Sequence, residues 1–142
     1  MATYRVAADV AERWLASIGI VLCAVQIAFA ALGFWGATEN PNDQAAGIAA
    51  FEPHAMNGAV LSYLAVVLFI LGIVSRANVK AWLLPIIVAV LLFLVQGLLV
   101  GLGFEVSRWY GALHAFSGTA ITAGFVWLAV DRWMHPLSRR NA

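Results

Sequence analysis

Long runs without a charged residue alternate with short polar punctuation along this chain. The uncharged runs cover residues 14–36, 53–75, 81–104 and 109–130. Each exceeds the ~20 residues that an α-helix needs to cross a hydrocarbon core of ~30 Å. None shows the two-residue alternation of a membrane β-strand. The pattern predicts an all-α fold: a four-transmembrane-helix antiparallel bundle in one membrane domain, residues 1–142. Between the helices it leaves an N-terminal arm over 1–13, a loop over 37–52, two tight turns and a short tail.

Composition narrows the class further. Hydrophobic residues make up 63% of the chain and charged residues only 11%, against about a quarter charged in soluble domains. Mean hydropathy is +0.90. Disorder is excluded by the same balance. A net charge of +1 gives no electrostatic footprint for nucleic acid. The first apolar run is too long for a signal-peptide core and lacks a clear small-residue cleavage site, so it is expected to be retained. Cys23 is the only cysteine, which rules out an intramolecular disulfide and leaves it as a packing residue.

Charge asymmetry sets the expected orientation. With the N-terminus inside, the inner segments hold Arg5, Arg13, Arg76, Lys80, Arg132, Arg139 and Arg140, and the outer segments only Arg108. The positive-inside rule then places both termini on the cytoplasmic side. Trp14, Trp82, Trp127 and Trp133 fall near the inner boundary and Trp35 and Trp109 near the outer one, where amphipathic rings are favoured.

The two halves of the chain repeat one another. Val25-Gln26 and Leu32-Gly33-Phe34 in the first span recur as Val95-Gln96 and Leu102-Gly103-Phe104 in the third. His54-Ala55-Met56-Asn57-Gly58 in the second span recurs as His114-Ala115-Phe116-Ser117-Gly118 in the fourth. Two tandem helix hairpins, related by an axis along the membrane normal, account for this. Sequential helices then pack as neighbours, and the second and fourth lie diagonally across the bundle.

That topology predicts what the histidines do. His54 and His114 both fall near the outer ends of their spans, with His114 roughly 7 Å deeper by residue count at 1.5 Å per residue; the repeat implies similar true depths. A diagonal of roughly 11–14 Å, from neighbours 8–10 Å apart, is expected to keep two imidazoles from meeting one small ion but to let them flank a haem iron. Gly58 and Gly118, one helical turn on, leave room for a flat macrocycle. Asn57 and Ser117 offer polar contacts near the ligands, and Arg108 a cation for a propionate. Gln26 and Gln96, near mid-bilayer, read as interhelical hydrogen-bonding groups or as contacts to a cofactor edge or a quinone. A non-haem site built with Glu52 and Glu105 lacks a supporting His-x-x-Glu spacing. Met56 reads as packing, since Phe116 replaces it, and His135 as a solvated tail residue. Gly97 and Gly101 form a GxxxG pattern, flanked by Gly103, a sign of close packing.

The HAMNG and HAFSG segments, with VQ…LGF in the preceding spans, resemble a family of small bacterial four-helix membrane proteins of unassigned function, common in actinobacteria. More distantly, histidines on alternate helices resemble membrane b-type cytochromes and the four-helix halves of haem A synthase. That resemblance implies haem b held by His54 and His114. The chain departs from two-haem transmembrane cytochromes in having no second histidine pair near the inner face. The leading expectation is a b-type haem protein that transfers electrons in the outer half of the bilayer, to a quinone or a larger respiratory complex. An accessory subunit of such a complex without its own cofactor, or a small transporter or quinone-handling enzyme, stand as alternatives. So does a homo-oligomer.

Overall fold

The computed structural model describes residues 3–39 and 41–137. Every regular element among them is helical. α1 runs Thr3–Glu39, α2 Gln44–Ala50, α3 Glu52–Ser75, α4 Lys80–Val90, α5 Gly97–Glu105 and α6 Arg108–Met134. A π-helical turn, Leu91–Gln96, joins α4 to α5 in one continuous rod. Four helical stretches are long and apolar enough to span a bilayer: Thr3–Glu39, Gln44–Ser75, Lys80–Glu105 and Arg108–Met134. The protein is an all-α, multi-pass membrane four-helix bundle.

Helix ends follow local chemistry. Asp43 caps α2, its carboxylate accepting from the Ala46 N–H at 3.0 Å. Phe51 ends α2 and opens α3, and Pro53 follows in the first turn, where a missing N–H costs nothing. Asn78 Oδ1 accepts from the Ala81 N–H at 3.0 Å to start α4. Ser107 caps α6.

Two boundaries differ from expectation. The arm over 1–13 is not separate; from Thr3 it continues α1 without a break. The loop over 37–52 is mostly helical too, shared between the end of α1 and all of α2. Arg139 and Arg140 lie outside the described residues.

α1 packs on α3 and α6, and the third rod packs on α3 and α6 in turn. α3 and α6 stay diagonal, with no Cα of one within 8 Å of the other. The tight core lies toward the end that carries the N-terminus. It comprises Ala16, Cys23, Leu61, Ala65, Leu68, Val88, Ala89, Ile121, Phe125, Leu128 and Ala129, so Cys23 does pack in the core. Leu61 and Ile121 sit two turns from His54 and His114 on the same helix faces, which fixes those faces as inward. Toward the other end packing loosens: the π turn and α5 contain no buried residue, and α6 none before Ile121. GxxxG does not mark a close approach within the chain. A Cβ on Gly97 or Gly101 would meet nothing within 4 Å, whereas one on Gly103 would lie 3.2 Å from the Gly111 backbone nitrogen.

The α3–α4 turn is tight for two reasons. Gly72 lets the Ala81 backbone lie directly against α3, in space that any Cβ would occupy. Arg76 then reverses the chain in the left-handed region, φ 49° and ψ 35°, as the only non-glycine residue with positive φ among those described. Left-handed backbone at a helix C-terminus normally falls to glycine. Arg76→Gly is therefore expected to stabilise the lipid-free protein by about 0.5–1 kcal/mol, read as a raised midpoint of thermal unfolding in detergent.

The terminal end is held by buried charges. Asp9, Glu12, Ser75 and Arg132 are all fully buried. Arg132 pairs with Asp131 and lies 3.7 Å from Asp9 Oδ1. Arg13 lies 3.5 Å from Asp9 Oδ2, and the Leu137 N–H donates to the same oxygen at 3.2 Å. Ser75 donates to Glu12 Oε2 at 3.4 Å. Around this cluster Trp14 and Trp133 meet edge to face, their centroids 5.2 Å apart, and the Arg13 guanidinium lies 5.4 Å from the Trp133 ring centroid.

Candidate paired-histidine site

His54 and His114 come together at the less tightly packed end. Their ring centroids lie 6.1 Å apart and their planes are inclined by 52°. They therefore stand at one depth, although His54 is the third residue of α3 and His114 the seventh of α6. α2 explains the apparent mismatch in residue count: it extends the second span outward, so His54 is not at its tip.

The 11–14 Å gap does not separate a small ion from a haem iron, as the sequence reading supposed. α3 and α6 remain diagonal, yet two inward imidazoles close the distance by side-chain reach alone. A metal–imidazole nitrogen distance of about 2.0–2.1 Å, plus ~1 Å from nitrogen to ring centre, puts the centroids of two imidazoles on one metal about 6 Å apart. The observed 6.1 Å is close to that value and is also an ordinary ring-contact distance.

A glutamine on the preceding span locks each histidine in the same way. His54 Nδ1 lies 3.2 Å from the Gln26 carbonyl oxygen, and His114 Nδ1 lies 3.3 Å from that of Gln96. A carbonyl only accepts, so each Nδ1 carries the proton and each Nε2 keeps its lone pair. In return the side-chain amides donate to histidine carbonyls, Gln26 to His54 at 3.0 Å and Gln96 to His114 at 3.1 Å. These reciprocal bonds orient both rings, as outer partners orient metal-ligating histidines elsewhere. The glutamines thus act between helices, chiefly through the histidines.

Asn57 and Ser117 complete the locks differently. Asn57 is buried and donates to Gln26 Oε1 at 2.6 Å and to the Leu22 carbonyl at 3.0 Å. Ser117 accepts from Gln96 Nε2 at 2.6 Å and donates to the His114 carbonyl at 3.0 Å. Both residues hold glutamines. Gly58 and Gly118 face the same amides: a Cβ on Gly58 would lie 3.4 Å from Gln26 Nε2, and one on Gly118 3.9 Å from Gln96 Nε2. The locks differ at one further point, since the Gln26 amide also sits 3.2 Å from His54 Nε2. Ligation through that nitrogen displaces this one contact.

Phe51 was not singled out from sequence. Its ring meets His54 edge to face, centroids 6.3 Å apart, and rests on α1 where Gly33 leaves space. A glycine one hairpin upstream of an aromatic residue was too weak a signal to find it. Arg108 is exposed at the start of α6. No third His, Cys, Asp or Glu joins the histidines as a metal-holding group among the described residues, so Glu52 and Glu105 are not brought into such a set.

Gln26→Leu is expected to cost about 1–3 kcal/mol, because it strips partners from the buried Asn57 amide and from the His54 carbonyl. Thermal unfolding in detergent measures this, and the wild-type midpoint in the variant would refute the lock. Comparison with family models, curated proteins and solved structures gives no match to this chain.

Proposed function

We propose that this chain is a b-type haem-binding membrane protein that carries electrons, with His54 and His114 as the axial ligands. The observation that carries the reading is the 6.1 Å separation of the two rings, each with Nδ1 engaged by a glutamine carbonyl and the lone pair on Nε2, which on His54 already faces the Gln26 amide. Two imidazoles alone make a poor cage for a bare ion. They suffice for a metal whose macrocycle brings its own equatorial nitrogens. Haem b, when bound, supplies one-electron redox chemistry. His54 and His114 would hold the haem through imidazole nitrogens, and Gln26 and Gln96 fix the tautomers of both rings. With both axial positions filled by protein, electron transfer is favoured over binding of oxygen.

The orientation we propose has both termini cytoplasmic in a bacterial inner membrane and the histidine end facing outward. Arg5, Arg13, Arg76, Lys80 and Arg132 at the opposite end support it through the positive-inside rule. Arg108, the one cation at the histidine end among the described residues, suits a haem propionate. A quinone or a larger respiratory complex is the proposed electron partner.

The test is a reduced-minus-oxidised absorption spectrum of the purified protein after supply of haem, with electron paramagnetic resonance on the oxidised form. A Soret band, a sharp α band on reduction and a low-spin ferric signal are expected. A protein that takes up no haem, or takes it up with a high-spin signal alone, overturns the reading.

A further inference from the structure

A groove of about 550 Å³ opens beside the α3–α4 turn. Its walls are apolar, Phe69 and Ile73 from α3 and Trp82 and Ile86 from α4, and its polar end is formed by Arg76 and Asn78. The order is that of a phospholipid, with hydrocarbon along the span and charge at the membrane boundary.

The polar end is cationic. The Arg76 side chain is exposed and makes no hydrogen bond or ion pair among the described residues. Arg5 adds a second guanidinium, donating to the Ser75 carbonyl at 3.1 Å and to the Arg76 carbonyl at 3.4 Å. A carboxylate does approach, but it is engaged: Asp131 pairs with Arg132 and accepts from Asn78 at 3.3 Å. Arg76 also holds the one left-handed non-glycine backbone among the described residues. That conformation is costly for a side chain with no role, and such outliers point to function.

We propose that this groove is a binding site for an anionic phospholipid of the leaflet at the terminal end. The acyl chains lie against Phe69, Ile73, Trp82 and Ile86, and the headgroup phosphate meets the Arg76 guanidinium. A free phosphate would leave the apolar walls unused, and an apolar protein segment would leave Arg76 without a countercharge. Basic pockets between spans on the cytoplasmic side recognise anionic headgroups in this way.

Native mass spectrometry of the detergent-purified protein, titrated with dioleoyl phosphatidylglycerol or dioleoyl phosphatidylcholine, tests the site. The wild type is expected to bind one phosphatidylglycerol about five-fold more tightly than phosphatidylcholine, the worth of one cation near an anionic surface. Arg76→Gly removes the guanidinium and relieves the backbone, so it should lose the preference while melting no lower than wild type without lipid. Arg76→Asn, which also tolerates left-handed backbone, should lose it likewise. Arg108→Gln, at the opposite end, should keep it. Equal affinity for the two lipids in the wild type, or an unchanged preference in both Arg76 variants, overturns the proposal.

Discussion

Replacing His54 and His114 together by alanine is expected to abolish haem uptake while leaving the apoprotein folded. In the proposed reading each imidazole would be a protein ligand of the haem, so losing both would remove every such ligand. Loss of an outer partner of a metal ligand already weakens binding about 10–100-fold, and loss of the ligands themselves must exceed that. The structural cost is smaller. Each ring donates one hydrogen bond to a glutamine carbonyl and His54 also faces the Gln26 amide, each worth about 1 kcal/mol, and neither ring belongs to the tight core. The single variants separate the two sides. Either one leaves a lone axial imidazole and converts a low-spin ferric signal to a high-spin one. An unaltered Soret band in the double variant would sink the assignment of these residues. A double variant that unfolds would show instead that the histidine–glutamine locks hold the bundle together.

Much of this arrangement is legible in the sequence because polar residues are scarce inside the spans. Gln26, His54, Gln96 and His114 stand out against an apolar background, and their repeat pairs them before any coordinates are seen. Their partnership is less legible. Sequence spacing does not show that one turn of α1 faces one turn of α3, which is what turns a mid-membrane glutamine into a clamp for a histidine. Nor does it show depth, which depended on α2 extending the second span. The π turn that delivers Gln96 has no sequence signature, since Leu91–Gln96 reads as ordinary apolar helix. The charged arm misled for a different reason. Asp9, Glu12 and Arg13 fall in the arm expected outside the spans, and only the fold shows that Asp9 and Glu12 are buried, Asp9 beside Arg132 from the last helix. Their spacing of three and four residues was the available signal, because it puts all three on one helix face.

Arg132→Met is expected to be strongly destabilising, by about 3–5 kcal/mol. Arg132 is the largest fully buried side chain, and Met keeps its apolar stem while deleting the charge. Asp9 would then keep only Arg13 as a cationic partner among the described residues, 3.5 Å away, and Asp131 would lose its arginine partner; an undercompensated buried charge is the costly outcome of breaking such a cluster. Against a total stability of about 5–15 kcal/mol, that loss should be plain in thermal unfolding. Glu12→Gln should do far less. One Glu12 oxygen accepts only from Ser75, and the other has no hydrogen-bond partner among the described residues. An amide there gives up little and relieves an excess of negative charge. Asp9→Asn combined with Arg132→Met should recover part of the loss, because the double variant leaves one fewer charge unpaired. The difference between the double variant and the sum of the singles then measures the Asp9–Arg132 coupling. If Arg132→Met melts within about 1 kcal/mol of wild type, the cluster contributes as little as an exposed ion pair. A large loss, by contrast, would show that this cluster clamps α1, α3 and α6 together at the terminal end.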